Sequence, residues 1–239
     1  MSESPHSSLR VLVVIPCYNE SRSIRAVLEQ VHALNLPLDT LVIDDGSQDD
    51  TSKQARPLSK CIRLVMNLGI GGAVQTGLRY ARDHDYDYCV QVDGDGQHPP
   101  GQIPLLLQAA QDTGANLVVG SRFLETRGYN STALRRLGIG LIAWSFRVLF
   151  NIPITDPTSG FRVYDAAAIN LFAREYPQDF PEPVSIGYAL TAGLKVRETP
   201  VEMRERAHGS SSIGGMKNLA YMIRVLGNLL LVRLDSNLK

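Results

Sequence analysis

The chain has 239 residues, with 24 Lys plus Arg against 24 Asp plus Glu, so its formal net charge is zero. That length suits one large domain, or one domain with a small appendage, and it buries a core without disulfide or metal staples. Hydrophobic residues at 44% and charged residues at 20% exclude a disordered chain, and the neutral balance argues against a protein that coats nucleic acid.

Arg10 to Ile15 is a short β-branched run that reads as a buried strand ended by Pro16. Ser21 opens a helical pattern with Ile24, Val27, Leu28 and Val31 on one face. Leu41 to Ile43 is a second strand, closed by Asp44-Asp45-Gly46-Ser47, and Cys61 to Val65 is a third. Gly71 to Arg82 reads as a helix, and Cys89 to Val92 as a fourth strand ending in Asp93-Gly94-Asp95. Ile103 to Gln111 is helical and Leu117 to Val119 is a fifth strand. Strands alternating with helices at short intervals mark an α/β fold with a mostly parallel sheet flanked by helices. After Gly120 the pattern loosens and the chain becomes more basic. Leu134 to Phe150 reads as an amphipathic helix, Thr155 to Arg162 as a polar loop, Lys195 to Met203 as a late strand, and Leu219 to Leu234 as a second amphipathic helix.

Cys17, Cys61 and Cys89 are far apart, odd in number and set in apolar runs, which points to buried hydrophobes rather than a disulfide scaffold or a zinc site. The N-terminus lacks a charged region followed by an apolar core, and no stretch reaches the ~20 apolar residues that span a bilayer. A cytoplasmic location is therefore expected. Asn130-Ser131-Thr132 is read as a chance glycosylation match.

Ligands of open α/β sheets bind beyond the carboxyl ends of the strands. The polar turns 16–20, 44–47, 67–72 and 93–98 should therefore converge on one crevice. In Asp93-Gly94-Asp95-Gly96-Gln97-His98, two carboxylates two residues apart can share one hard divalent cation, Mg²⁺ or Mn²⁺, whose shell is completed by phosphate oxygens and water. Such a cation stabilises a departing diphosphate. The bland alternative is a solvated acidic turn. An EF-hand is excluded because its twelfth position, counted from Asp93, is Pro104. Asp44 or Asp45 can accept hydrogen bonds from a base or ribose. The glycine string 69–72 departs from Gly-x-Gly-x-x-Gly and follows the third strand, so a nicotinamide site is a weak reading.

Taken together, Pro-Cys-Tyr-Asn-Glu (16–20), Asp-Asp-Gly-Ser (44–47), Asn-x-Gly-x-Gly-Gly-Ala (67–73), Asp-Gly-Asp-Gly-Gln-His (93–98), Gly-Ser-Arg (120–122) and Thr-Asp-Pro-Thr-Ser-Gly-Phe-Arg (155–162) resemble glycosyltransferase family 2, with the GT-A fold. Within that family the chain is similar to dolichyl- or polyprenyl-phosphate sugar synthases, of the short bacterial type without transmembrane helices, over about residues 10–215. The resemblance implies that Asp93, Asp95 and Gln97 hold the metal. It also implies that Pro16, Tyr18, Asn19, Glu20, Asp44 or Asp45, Asn67, Gly71 and Asp93 cradle a nucleotide-sugar donor such as a UDP- or GDP-sugar.

The second half carries arginines suited to phosphate recognition. The resemblance assigns Arg122 and Arg206, with Arg135 or Arg136, to the lipid phosphate; Arg162 and Ser210 are further candidates. For each arginine the alternative is a surface ion pair. Asp95 and Arg122 are the expected catalytic residues together with Glu182, which stands where the family places a base. A phosphate acceptor is already anionic and needs no base, so Glu182 either activates an acceptor or orders the acceptor loop. His98 and His208 are further candidates for the same role. The helix 219–234 is interrupted by Arg224 and Arg233 and does not span; it fits an interfacial helix, a core helix, or a dock for a small multi-helix membrane protein.

The sequence thus leads to a GT-A domain over 1–215 and a membrane- or partner-associating helix over 216–239. The expected enzyme is an inverting, metal-dependent transferase that moves a sugar to polyprenyl phosphate at the membrane surface, with no nucleic acid partner. The alternatives are transfer to a sugar hydroxyl of a growing cell-surface polysaccharide and a non-catalytic nucleotide-sugar binder that regulates a membrane partner.

Overall fold

The structure, a computed structural model, describes residues 9–124, 133–204 and 217–235. Seven strands form one sheet: β1 (Val11–Cys17), β2 (Leu38–Asp44), β3 (Lys60–Arg63), β4 (Tyr88–Gln91), β5 (Leu117–Ser121), β6 (Arg162–Asp165) and β7 (Val196–Pro200). Their order across the sheet is β3-β2-β1-β4-β6-β5-β7. All neighbouring pairs are parallel except those made by β6, which runs antiparallel to β4 and β5. Because β6 is reversed, its first residue, Arg162, pairs with Gln91 and Val119 and comes to the edge where the parallel strands end.

Both faces of the sheet are covered, as a largely parallel sheet requires. Along β1 the side chains alternate: Val11, Val13, Ile15 and Cys17 enter one core, and Leu12 and Val14 enter the other. On the first face lie α1 (Ile24–His32), α2 (Thr51–Ala55) and α4 (Ile103–Thr113). Helix α1 buries Ile24, Val27, Leu28 and Val31, the stripe the sequence spacing gives. Helix α4 stops at Gly114, whose φ of 59° lets its N–H turn back to Ala110 and Gln111.

On the opposite face lie α3 (Gly69–Asp83), α5 (Ala133–Phe150), α6 (Ala166–Arg174), α7 (Pro181–Thr191) and α8 (Lys217–Leu234). Helices α5 and α8 are amphipathic in two senses. Ile142, Phe146, Val225 and Leu229 are in the core, whereas Leu137, Leu141, Trp144, Val148, Ile223, Leu230, Leu231 and Leu234 are exposed. Arg233 of α8 donates to the carbonyl of Leu149 near the end of α5, at 2.9 Å, a favourable place for a cation. One face of α8 thus packs into the core, as the core-helix reading of 219–234 expects, and its other face is exposed and apolar. The expected boundary at 215/216 lies outside the described residues. Among the described residues, no helix is long and apolar enough to cross a membrane.

Four elements differ from the sequence reading, the first being the short α2 (Thr51–Ala55), which carried no assignment. The polar loop expected to run to Arg162 gives way there to β6, and residues 166–191, which carried no assignment, form α6 and α7. Asp165 caps α6 by accepting from the N–H of Ala168 at 2.9 Å. Phe180 enters α7 through left-handed backbone, φ 51°, and Pro181 and Pro183 occupy the first turn, where a missing N–H does no harm.

Candidate active site

The carboxyl ends of β1, β2, β4 and β5 and the start of β6 line one edge of the sheet, and the acidic turn leaves β4 at its centre. The N–H of Asp93 donates to Nδ1 of His98 at 3.1 Å, and that imidazole stacks on Phe161 with ring centroids 5.1 Å apart. His98 is buried, and the Nδ1 that accepts this bond also lies 3.6 Å from Oδ2 of Asp93. It therefore braces the turn rather than facing solvent. Asp95 is buried and its Oδ1 accepts from the N–H of Gln97 at 2.9 Å. The Asp93 side chain is 34% exposed, open to the crevice. Glycines let neighbouring side chains approach: a Cβ at Gly94 would collide with Cys17 Sγ, and one at Gly160 would meet both Asp93 carboxylate oxygens at 3.2 Å. The segment after β7 returns across this turn, with the N–H of Arg204 donating to Gln97 O at 2.9 Å and Arg204 Nη1 donating to Gln30 at 2.8 Å.

The residues expected to cradle a nucleoside fall into two sets. Tyr18, Asn19 and Asn67 are exposed and Glu20 is half-buried along the same edge. Asn19, at φ 58°, accepts from the N–H of Gln48 at 2.8 Å. Pro16, Asp44, Asp45 and Gly71 are buried. Asp44 accepts from the N–H of Ser47 at 2.8 Å and from the Ser52 hydroxyl. Asp45 accepts from the N–H groups of Leu68 and Gly69 at 2.7 and 2.9 Å and so caps the start of α3. Burial pushes the Asp45 carboxyl up, and those two N–H groups pull it back. Direct nucleoside contact by Asp44 is therefore corrected: at 0% exposure it builds the turn from beneath. A Cβ at Gly71 would meet Pro177 O at 2.7 Å, so this glycine admits the 177–178 backbone to the start of α3.

Arg122, at the end of β5, forks onto Asp156: Nε reaches Oδ2 at 2.5 Å and Nη2 reaches Oδ1 at 2.6 Å, with Thr158 Oγ1 at 2.8 Å. Asp156 is fully buried. Its own N–H donates to Glu198 Oε1 at 2.7 Å, and Glu198 Oε2 takes the N–H of Thr155 at 2.7 Å. Burial raises the Glu198 carboxyl, offset by these bonds. The sequence quotes 155–162 as a motif but gives no role to Asp156 or Glu198, because the pairing with Arg122 spans 34 residues and exists only in the fold. Arg135 and Arg136 lie in the first turn of α5, and their side chains fall outside the described residues, as do Arg206, His208 and Ser210.

Glu182 sits in the first turn of α7, half-buried. Burial pushes its carboxyl up, opposed by the Arg162 guanidinium, and Asp93 adds to the rise. The expectation that Arg162 meets an acceptor phosphate is corrected. Arg162 is 0% exposed, and it donates to Ser159 O at 2.8 Å, Ser185 Oγ at 2.7 Å and Glu182 O at 2.6 Å. It lies under the site, beyond the reach of a phosphate.

The donor set suits a hard cation. Two carboxylates on one glycine-rich turn offer oxygen ligands only, with Gly160 leaving space beside Asp93. Among the described residues, no group of three or more His, Cys, Asp or Glu is close enough to hold a metal alone. Asp93 and Asp95 thus fit a Mg²⁺ or Mn²⁺ ion that shares its shell with diphosphate and water. The Gln97 side chain leans instead toward Arg204 O at 3.5 Å.

A seven-stranded mixed sheet with an acidic turn at its carboxyl edge defines a GT-A transferase fold. Glucosyl-3-phosphoglycerate synthase from Mycobacterium tuberculosis, solved with Mn²⁺, UDP and phosphoglyceric acid, matches with a TM-score of 0.71 at 19% identity, covering 96% of this chain and 81% of that one. The chain belongs to glycosyl transferase family 2, whose profile matches residues 12–172. It is 32% identical over 222 residues to the undecaprenyl-phosphate mannosyltransferase of Micrococcus luteus, covering 87% of this chain and 88% of that protein. It is 30% identical over 233 residues to the polyprenol monophosphomannose synthase of Mycolicibacterium smegmatis, covering 90% and 85%. A third relative, at 28% over 187 residues and covering 69% and 73%, is the UDP-N-acetylglucosamine–dolichyl-phosphate N-acetylglucosaminyltransferase of Methanococcus voltae.

Proposed function

We propose that this chain transfers one sugar from a nucleotide donor to polyprenyl phosphate, by a single inverting displacement at a membrane surface. The observation that carries the reading is the Asp93–Asp95 turn at the carboxyl edge, in a chain whose near-full-length relatives act on polyprenyl phosphates. Asp93 and Asp95 would hold Mg²⁺ or Mn²⁺, which when bound offsets diphosphate charge and stabilises the leaving group. Tyr18, Asn19, Glu20 and Asn67 line the nucleoside side, on turns that Asp44 and Asp45 keep in shape. Arg122, forked onto Asp156, stands on the acceptor side, where Arg135, Arg136 and Arg206 would supply positive charge and Ser210 a hydroxyl donor. The acceptor phosphate brings its own nucleophilic oxygen, so no proton need be removed before attack.

Membrane association rests on α5 and α8. Neither helix contains an acidic residue; together they carry Arg135, Arg136, Arg147, Lys217, Arg224 and Arg233. Their exposed apolar side chains include Trp144, at 60%. Apolar area with flanking cations suits the headgroup region of an anionic bilayer, where a polyprenyl acceptor resides. A small multi-helix membrane protein is the alternative occupant of this face.

One observation favours a second reading, transfer to a sugar hydroxyl. Glu182 has its carboxyl raised by burial beside the crevice, as a general base would need. Acceptors offered in parallel, polyprenyl phosphate against a polyprenyl-diphosphate oligosaccharide, separate the two. Asp95→Ala tests the mechanism itself. It should lower transfer by at least about 100-fold while the melting temperature stays near wild type, and undiminished transfer would rule out the acidic turn as the metal site.

A further inference from the structure

We propose that Arg162 is a positioning residue: a buried guanidinium that ties the Glu182-bearing start of α7 to the loop beside Asp93, fixing the spacing between the acceptor and donor walls of the crevice. This rests on the transferase reading above and adds to it a role for a group that touches no substrate.

Three observations converge. Arg162 is completely buried, yet among the described residues no carboxylate forms an ion pair with it. Its charge still acts on the Glu182 carboxyl, whose rise it opposes, and burying a guanidinium costs desolvation that its hydrogen bonds must offset. Second, its three acceptors come from two separate segments. Ser159 O belongs to the loop before β6, whereas Ser185 Oγ and Glu182 O belong to the first two turns of α7. Ser185 Oγ in turn donates to Glu182 O at 3.1 Å, closing a small ring around the helix start.

Third, both segments reach the crevice. Gly160, next to Ser159, sits against the Asp93 carboxylate and the Gln91 amide. Gln91 Oε1 accepts from the Tyr164 hydroxyl at 3.0 Å, which lies 3.4 Å from that of Tyr176. The polar seam under the site therefore runs from the metal turn, through Arg162, to Glu182. The seam is needed because α7 has a weak start of its own. Two prolines occupy its first turn, Phe180 offers no side-chain cap, and the Arg162 guanidinium and the Ser185 hydroxyl both donate to Glu182 O. Reactions that depend on bringing two substrates together lose rate steeply when their walls shift by about 1 Å.

The test compares Arg162→Lys, Arg162→Met and Ser185→Ala in the full chain. Transfer from a panel of labelled sugar nucleotides to undecaprenyl phosphate in vesicles gives kcat and acceptor KM. Calorimetry with UDP and GDP, each with Mn²⁺, gives nucleotide affinity, and thermal melting gives stability. Arg162→Met should lower the melting temperature, because Ser159 O, Ser185 Oγ and Glu182 O lose a buried donor, but should keep nucleotide affinity within about threefold. Its kcat should fall about 10- to 100-fold, with Arg162→Lys and Ser185→Ala falling in between. A kcat within about threefold of wild type in both Arg162 variants overturns the proposal. So does a loss of kcat that tracks equal losses of nucleotide affinity and melting temperature. Donor hydrolysis, which needs no acceptor, is read in the same variants. A wild type that hydrolyses donor without glycosylating lipid refutes the acceptor reading alone, and Arg162 is then judged on the hydrolysis rate.

Discussion

Asp93 and Asp95 sit two residues apart, but the protein uses them differently: Asp95 is buried and organises its own turn, while Asp93 opens to the crevice. A similar division separates the buried Asp44 and Asp45, which shape turns, from the exposed Tyr18, Asn19 and Asn67 beside them. The most informative single charge is Glu182. Its carboxyl is raised by burial more than Arg162 lowers it, so the folded protein holds that proton more tightly than the unfolded chain. The stability this contributes is present below the ordinary glutamate range, near pH 4.5, and is lost as pH rises through the elevated folded value. Glu182→Gln should therefore melt higher than wild type at pH 7.5, and the difference should vanish at pH 4, as followed by circular dichroism. A lower melting temperature for the variant at pH 7.5 would mean that the ionised carboxylate is net stabilising.

At the scale of elements, legibility followed local pattern. Strand β1 was visible as a short continuous β-branched run, and helix α1 because Ile24–Val31 carries a clean period of 3.6. The acidic turn was visible because metal-ligating carboxylates at this spacing form a local motif. Strand β6 was not: four residues opening on an arginine read as loop until β4 and β5 bury them. Helix α7 hid behind Pro181 and Pro183, although the Asp165 cap before three alanines was a signal for α6. The misplacement of Arg162 on the phosphate side follows from missing β6, since only an antiparallel strand inserted there buries it. Helix packing yields a further test at Gly77 of α3. Alanine at an exposed helix interior would gain about 1 kcal/mol over glycine. Here a Cβ would lie 2.3 Å from Val14 Cγ1 in the core. Gly77→Ala should instead destabilise by about 1–3 kcal/mol in urea unfolding.

At the scale of the whole molecule, zero net charge conceals a division. Helices α5 and α8 carry only cations, and the remainder carries the balancing excess of acid, including the turn that suits a metal. The same two helices expose a run of apolar side chains on the outside of the domain. Trp144→Glu with Leu231→Glu should weaken sedimentation with vesicles containing anionic lipid by at least about tenfold, while nucleotide affinity in solution stays unchanged. Equal binding of wild type and variant would move the membrane contact elsewhere.

The central claim, sugar transfer to a lipid phosphate, is tested most directly by one incubation. The full chain is mixed with undecaprenyl phosphate in vesicles, Mg²⁺ or Mn²⁺, and each of a panel of labelled UDP- and GDP-sugars, and the products are extracted into organic solvent. The account predicts that one donor leaves a single labelled sugar on the lipid phosphate, dependent on the cation and lost in Asp95→Ala. Label that enters the organic phase only when a polyprenyl-diphosphate oligosaccharide is supplied, or from none of the donors, would contradict it.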